Sequence, residues 1–187
     1  MKKEVIEIRW HGRGGQGAIT AAKIVANAAF SIGYGGVVMA PTFGTERRGA
    51  PVVTSLKISR EKIYDLSPIE TPDIIVILDH LLIEEADVTN GLEPGGLMVL
   101  NTPKPLESYG FDHVKLAVAD VTALSSEAGL KKGVVNSGIL GAFSKASGLV
   151  DLEILLKYIE EEFKDRRPLE NAAAAKLVYD HTRIGEN

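Results

Sequence analysis

The chain has 187 residues, 45% of them hydrophobic, so it is long enough to bury a sizeable core. Its 25 acidic and 21 basic residues leave a net charge of −4, which provides no overall positive field to attract nucleic acid or an anionic membrane. The sequence contains no cysteine, which excludes disulfides, thiolate zinc sites, a cysteine nucleophile and cysteine-ligated iron–sulfur clusters on this chain.

The N-terminus begins Met1-Lys2-Lys3-Glu4 and enters a short apolar segment, without the long apolar stretch of a signal peptide or membrane span. No internal repeat or low-complexity linker interrupts the sequence. We therefore expect residues 1–187 to form a single domain of a cytoplasmic protein.

The glycine-rich stretch from Arg9 to Gly17 joins the first predicted strand to the first predicted helix, residues 18–32. The pattern G-x-G-x-x-G is matched by Gly12, Gly14 and Gly17. Glycines in this pattern permit a tight turn and let backbone N–H groups approach a phosphate at the positive end of a helix. The stretch therefore predicts a local anion site.

A dinucleotide-binding fingerprint also needs a carboxylate about 20 residues further on, after the second strand, to bind the ribose. Here the second predicted strand, residues 36–40, runs into Pro41, and the first carboxylate is Glu46 inside a basic turn. The sequence therefore does not favour an ordinary NAD site. The alternative to an anion site is that the glycines serve only a close turn between strand and helix.

The loop from Pro41 to Pro51 places Arg47 and Arg48 among glycine and proline, between two predicted strands. Loops positioned by flanking strands commonly carry function, and arginine forks suit a carboxylate or a phosphate. The alternative is that Glu46 pairs locally with an arginine and both side chains lie in water.

The remaining chain alternates predicted strands and helices. The predicted strands are residues 52–58, 73–78, 97–100 and 114–118, and the predicted helices are residues 81–86, 121–129, 136–146, 151–163 and 169–182. Because residues 36–40 and 52–58 are joined without a helix, we expect them to pair antiparallel. The alternation predicts a Rossmann-like, three-layer α/β/α sandwich with a mostly parallel but mixed central sheet.

Four polar or aromatic residues near strand ends have open roles. Asp79 and His80 follow the most apolar strand, where they could act as acid and base or line a site, and Asp79 could instead cap the next helix. Gln16 could donate to a phosphate or point to solvent. Trp10 could stack on a ligand, or contact a partner or the core.

These residues together resemble the gamma subunit of a 2-oxoacid:ferredoxin oxidoreductase, most closely that of the four-subunit pyruvate type. The resemblance covers nearly the whole chain, as one domain of the kind called catalytic domain III. It is carried by the stretches Arg9 to Gly17 and Thr42 to Pro51, the apolar strand ending in Asp79, Asn101 after its strand, and Asn136 with Leu140-Gly141-Ala142.

The resemblance implies a complex that oxidatively decarboxylates pyruvate, or another 2-oxoacid, to acetyl-CoA or another acyl-coenzyme A and passes electrons to ferredoxin. It implies thiamine diphosphate, magnesium and iron–sulfur clusters on partner chains of the alpha, beta and delta type. The sequence has no Gly-Asp-Gly segment of the sort that thiamine diphosphate enzymes use. We therefore expect no activity from this chain alone, and no catalytic residue or metal ligand on it.

Its expected role is to complete the assembly and to help bind coenzyme A. The expected coenzyme A-binding residues are Gly12, Arg13, Gly14, Gly15, Gln16, Gly17, Thr45, Arg47 and Arg48. Two alternatives stay open: a stand-alone nucleotide-binding or regulatory module without redox chemistry, and a purely structural subunit that binds no small molecule.

Overall fold

The computed structural model describes residues 4–41, 48–111 and 113–186 of the chain. The strands are β1 (Val5–Arg13), β2 (Gly36–Pro41), β3 (Pro51–Ser59), β4 (Ile74–Ile77), β5 (Leu97–Asn101), β6 (Lys115–Ala119) and β7 (Arg183–Glu186). The helices are α1 (Ala18–Ser31), α2 (Leu82–Glu85), α3 (Val121–Glu127), α4 (Gly138–Ser147), α5 (Leu152–Glu162) and α6 (Pro168–His181). A 3-10 turn at Leu106–Ser108 lies between β5 and β6.

The strands form one mixed sheet in the order β2-β3-β1-β4-β5-β6-β7. The neighbouring strands β1, β4, β5 and β6 are parallel, whereas β3 runs antiparallel to both β1 and β2. This confirms the predicted mixed sheet and the predicted antiparallel pairing across the loop that follows Pro41. Strand β7, which pairs antiparallel with β6, was not predicted because its four residues contain one apolar side chain, Ile184.

The sheet is covered unequally on its two faces. Alternate side chains of β4 point to opposite faces, so that Val76 joins one hydrophobic cluster and Ile75 and Ile77 join the other. The larger cluster lies under α1, α4, α5 and α6. The smaller one is covered by α2, by the 3-10 turn and by irregular segments. The α/β fold agrees with the prediction, and its third layer is thin because α2 has only four residues and the 3-10 turn three.

The sheet's connections reverse direction between the neighbouring strands β1 and β4. From β1 the chain passes through α1 to β2 and β3 on one side, and from β4 it passes through α2 to β5 on the other. Parallel sheets bind ligands in the crevice outside the carboxyl ends of strands at such a reversal. The glycine-rich turn after β1 lies at this point.

Candidate functional site at the glycine-rich turn

The glycine-rich turn consists of Gly14 to Gly17, because β1 continues as a strand through Arg13. Gly15 and Gly17 have φ values of +94° and +82°, in the left-handed region that glycine adopts without strain. Helix α1 begins directly at Ala18, and no side chain caps its N-terminus. The backbone N–H groups of its first turn therefore have no partner within the helix and are directed toward the turn.

Gln16 holds the turn closed. Its side-chain Oε1 accepts a hydrogen bond from the backbone N–H of Arg13 at 2.7 Å, and its own backbone N–H donates to the Arg13 carbonyl at 2.9 Å. These two bonds tie Gln16 to the last residue of β1. The Gln16 side-chain oxygen therefore has a structural role in fixing the conformation of the turn.

Arg13 connects the turn to α2. Its guanidinium donates to Glu85 through two nitrogens, at 2.8 and 2.7 Å, and to Asp79 at 2.7 Å. These hydrogen bonds, first those to Glu85 and then that to Asp79, raise the pKa of Arg13 above its usual value. Arg13 thus links the turn to α2, and its positive charge is already balanced by two carboxylates.

Asp79 is engaged on both of its oxygens. Although partial burial raises the pKa of Asp79, the hydrogen bonds from Arg13 and from the backbone N–H of Leu81 outweigh it and hold that pKa below its usual value. The contact with Leu81, at 3.1 Å, lies at the entry to α2 rather than inside the helix. The predicted capping role was therefore wrong, because the N-cap of α2 is Leu81, without a side-chain cap, and Asp79 instead closes a local turn before the helix. His80 is half-buried beside a cleft described below.

The structure places the end of the loop between β2 and β3 beside the glycine-rich turn. The backbone N–H of Gly14 donates to the Ala50 carbonyl at 2.8 Å, and that of Gly49 donates to the Gly14 carbonyl at 3.0 Å. A Cβ built on Gly15 would lie 3.9 Å from Cγ of Arg48, an exposed residue. Arg48 and Gly15 are therefore neighbours, while Thr45, Glu46 and Arg47 lie outside the described residues.

Asn136 packs against the turn from the side of α4, and sequence reasoning did not include it among the binding residues. It is 8% exposed, and a Cβ built on Gly17 would lie 2.5 Å from its Nδ2. Among the described residues, none forms a hydrogen bond with its side-chain amide. Sequence reasoning could have selected it because Asn136 directly precedes a helix of small and apolar residues, where a polar side chain needs a partner.

Two clefts flank the turn and share Gln16 and Gly133 in their walls. The first, which we call the basic cleft, has a volume of about 570 Å³. Its lining includes Gly15, Gly17, Leu130, Lys131, Val134, Asn136, Phe163, Asp165, Arg166, Arg167 and Asn171.

The second cleft, of about 520 Å³, lies at the carboxyl ends of the parallel strands, and we call it the strand-end cleft. Its lining includes Leu78, Asp79, His80, Asn101, Pro103, Asp120, Thr122, Ser126 and Lys132. Asn101 stabilises its floor by donating to the Leu78 carbonyl at 2.8 Å. Asp120 accepts a hydrogen bond from the backbone N–H of Ala123 and caps α3.

Trp10 is fully buried, and its ring centroid lies 5.4 Å from that of Phe143. It is therefore a core residue, which confirms the packing interpretation and leaves it no surface for a ligand. His11 lies next to it on the opposite face of β1 and is also buried. Burial, and then the positive charge of Arg9, lower the pKa of His11 to about 4, so its imidazole is neutral at pH 7.

The described residues contain neither a metal-binding cluster nor a membrane-spanning helix. Within residues 4–41, 48–111 and 113–186, no group of three or more histidine, aspartate or glutamate side chains is placed to hold a metal ion. The chain has no cysteine to ligate an iron–sulfur cluster. Over the same described ranges, none of the helices has the length and apolar character needed to cross a lipid bilayer.

Comparison with known proteins identifies the family. Residues 7–181 match the family model described as pyruvate ferredoxin/flavodoxin oxidoreductase. The common gamma subunit of the pyruvate and ketoisovalerate oxidoreductases of Thermococcus kodakarensis is 44% identical over 97% of this chain and 100% of its own length. The crystal structure of the pyruvate oxidoreductase subunit PORC from Thermotoga maritima superposes with a TM-score of 0.84, at 33% identity, over 98% of this chain and 100% of that one.

A third match shows the same fold inside a longer chain. The 2-oxoglutarate:ferredoxin oxidoreductase from Magnetococcus marinus, solved with 2-oxoglutarate, coenzyme A and succinyl-CoA bound, has a TM-score of 0.71 at 21% identity. The match covers 96% of this chain and 32% of that one. With its full-length match to a gamma subunit and to PORC, the chain belongs to the pyruvate ferredoxin/flavodoxin oxidoreductase family, as a subunit of the gamma type.

Proposed function

We propose that this chain, within an assembled 2-oxoacid:ferredoxin oxidoreductase, binds the diphosphate of coenzyme A at its glycine-rich turn. The reaction of such a complex is the oxidative decarboxylation of a 2-oxoacid, with pyruvate as the proposed substrate, to an acyl-coenzyme A, with electrons leaving to ferredoxin. Thiamine diphosphate, magnesium and iron–sulfur clusters would then reside on partner chains. This chain supplies a binding surface for the co-substrate and takes no part in electron transfer.

The first support is the chemistry of the turn itself. A diphosphate is a compact anion, and the N-terminal N–H groups of α1, without a side-chain cap, are directed to the place where it would bind. Gly15 leaves the backbone open to close approach, because it carries no side chain that would cover these N–H groups, while the space beside Gly17 is filled by the side chain of Asn136. Arg48, an exposed residue whose Cγ lies beside Gly15, would add a fork-shaped donor for phosphate oxygens.

The observation that carries the proposal is the side chain of Asn136. Its polar atoms are not among the buried side-chain atoms that lack a hydrogen-bond partner, so the amide is open to the cleft and can donate to a ligand there. Asn136 is 8% exposed, lines the basic cleft and touches Gly17, which places its amide beside the first turn of α1. A phosphate oxygen on the turn would provide an acceptor for that amide in place of water.

The remaining residues have different proposed roles. Arg13 and Gln16 act mainly by holding the turn in shape. The guanidinium of Arg13 donates to Asp79 and Glu85, and the side-chain Oε1 of Gln16 accepts from the backbone N–H of Arg13. Gly12 lies in β1, where a built Cβ would make ordinary contacts of 3.4 to 3.6 Å, so its proposed role rests on the sequence motif. Thr45 and Arg47 remain proposed phosphate ligands on the strength of the sequence.

The proposal is tested by titrating the purified complex with coenzyme A after the substitution Asn136→Asp. The new carboxylate keeps the shape of the amide and lies near the positive end of α1, so folding should be preserved. Its charge would repel the diphosphate, and we expect the Kd for coenzyme A to rise tenfold or more, about 1.4 kcal/mol. The control Asn27→Asp adds the same charge at an exposed position of α1 and should leave the Kd unchanged. An unchanged Kd in the Asn136 variant would overturn the proposal.

A further inference from the structure

Residues 60–73, which we call the β3–β4 segment, join these two strands without forming a helix or a strand. Ser59 at the end of β3 pairs with Val5 at the start of β1, and the backbone N–H of Asp73 donates to the Glu7 carbonyl at 2.8 Å. The segment therefore lies beside the amino end of β1, whereas the glycine-rich turn follows the carboxyl end of the same strand.

The β3–β4 segment is packed closely near both of its ends. A Cβ built on Gly36, at the start of β2, would lie 2.1 Å from the carbonyl oxygen of Glu61. A Cβ built on Gly91 would lie 1.9 Å from the carbonyl oxygen of Glu70, and Ile69 beside it is buried. Because each glycine admits a backbone carbonyl where a side chain would clash, both ends of the segment are fixed against the rest of the chain.

A buried lysine fixes the middle of the segment. Lys57 on β3 is 4% exposed, and its Nζ donates to Asp65 at 2.9 Å and lies 3.2 Å from Oε1 of Glu7. Asp65 also accepts from the backbone N–H of Ser67 at 2.9 Å. An ammonium group removed from water needs carboxylates to compensate it, so Lys57 and Asp65 hold each other in place.

The residues on either side of Asp65 expose large apolar side chains. Tyr64 is 84% exposed and Leu66 is 73% exposed, the two highest values among the large hydrophobic side chains of residues 4–41, 48–111 and 113–186. Aromatic side chains are enriched at protein interfaces, and a segment that is already fixed loses little conformational entropy on binding. The pair is therefore suited to be the anchor of an interface.

The charges around the pair favour a different chain over a second copy of this one. Arg60 is already bound by a backbone carbonyl and a tyrosine ring, and Asp65 is bound by the buried lysine. The exposed charges that remain for a partner are those of Glu61, Lys62 and Glu70. Two copies meeting here would bring four carboxylates against two ammonium groups, whereas a partner with a basic rim would be complementary.

We propose that Tyr64 and Leu66 anchor this chain to another subunit of the oxidoreductase, in an apolar pocket with a basic rim. The chain belongs to its family as a subunit, so it has partner chains to bind. An aromatic side chain buries about 150–250 Å², whereas a stable interface covers about 800 Å² on each side, so the pair is the centre of a wider contact. This inference does not depend on coenzyme A, because the glycine-rich turn lies at the other end of β1.

The test follows the dissociation of this chain from the purified complex on dilution, by mass photometry, in the double variant Tyr64→Ala and Leu66→Ala. We expect the Kd of this chain for the rest of the complex to rise about thirtyfold or more, as when interface anchors are removed. The isolated variant should unfold at the same temperature as the isolated wild type, since both side chains lie in solvent. An unchanged Kd would overturn the proposal, and so would a lower unfolding temperature, which would show that the pair supports its own chain.

Leu169 in α6 provides a matched control, since it is 71% exposed. Leu66→Ala should raise the Kd about tenfold, whereas Leu169→Ala makes the same chemical change and should leave it at the wild-type value. Equal effects of the two substitutions would contradict the proposal. Sedimentation velocity of the isolated chain should show a monomer, and a dimer that the double variant loses would assign the surface to a second copy instead.

Discussion

At the scale of single residues, Gly17 and Asn136 restrict each other. Gly17 has φ +82°, and the side chain of Asn136 occupies the space where a Cβ would lie. Any side chain at position 17 would therefore meet backbone strain and a steric clash together. The glycine at this position is explained by the packing of Asn136 as well as by the turn.

We expect Gly17→Ala to lower the free energy of unfolding by about 2–4 kcal/mol. About 1–2 kcal/mol comes from the left-handed conformation, and the rest from displacing Asn136. Gly95→Ala is the control, since Gly95 has φ +86° but no atom within 4 Å of its built Cβ, so that it measures the strain alone. Denaturant titrations of both variants measure the difference. Equal losses in both would mean that Asn136 does not pack against the turn.

His11 should make the protein less stable in acid. Its pKa is lowered from 6.5 to about 4 in the folded protein, so the unfolded chain binds more protons between these two pH values. The free energy of unfolding should therefore fall as the pH drops from 6.5 to 4. Below pH 4, His11 should cause no further loss. At about 1.4 kcal/mol per unit, the loss reaches about 3 kcal/mol.

The control for His11 is the neutral variant His11→Gln. Unfolding by denaturant, followed across this pH range, should show a smaller loss of stability in the variant than in the wild type. The other titrating groups are the same in both proteins and cancel in the comparison. Parallel pH profiles would show that His11 has the same pKa in the folded and unfolded states.

At the scale of elements, close contact between α4 and α6 depends on one glycine. A Cβ built on Gly141 would lie 1.9 Å from the backbone carbonyl oxygen of Ala175, and backbone atoms cannot move aside as a flexible side chain can. On the other side of this contact, α6 carries a run of four small residues, Ala172 to Ala175. Three of its four alanines, Ala172, Ala174 and Ala175, are buried.

We expect Gly141→Ala to reduce the free energy of unfolding by about 1–3 kcal/mol, although alanine is favoured over glycine in a helix by about 1 kcal/mol. The substitution Gly110→Ala serves as the reference, because Gly110 has open space around its built Cβ. Thermal or denaturant unfolding of the two variants decides the matter. A stabilised Gly141 variant would show that α4 and α6 are further apart than the structure has them.

The elements predicted from sequence are those with a strong local pattern. The apolar run of β4, the helical spacing of α5 and the glycine that ends α4 are local features, and each element lies within a few residues of its predicted position. Strand β7 and the thin third layer depend on pairing and covering by distant segments. The neighbours of the glycine-rich turn were only partly predictable for the same reason, since Asn136 and Arg167 approach it from the other end of the chain.

At the scale of the whole molecule, the sequence and the fold describe one part of a larger machine. The chain has no cysteine for a cluster, and its full-length relatives are subunits of oxidoreductases. Its two clefts flank the glycine-rich turn that follows β1. The proposed co-substrate would be held there while its reactive end extends beyond this chain. The stand-alone nucleotide-binding module is disfavoured by these relatives and by the lack of a ribose-binding carboxylate.

The most direct measurement is affinity purification of this chain at native levels from its own cells under anaerobic conditions, followed by an assay of the eluate. We predict that partner chains co-purify with it and that the eluate reduces ferredoxin in the presence of a 2-oxoacid and coenzyme A. Omitting coenzyme A should abolish the formation of acyl-coenzyme A. Recovery of the chain alone, without iron or 2-oxoacid oxidation, would contradict its assignment as a subunit of the complex.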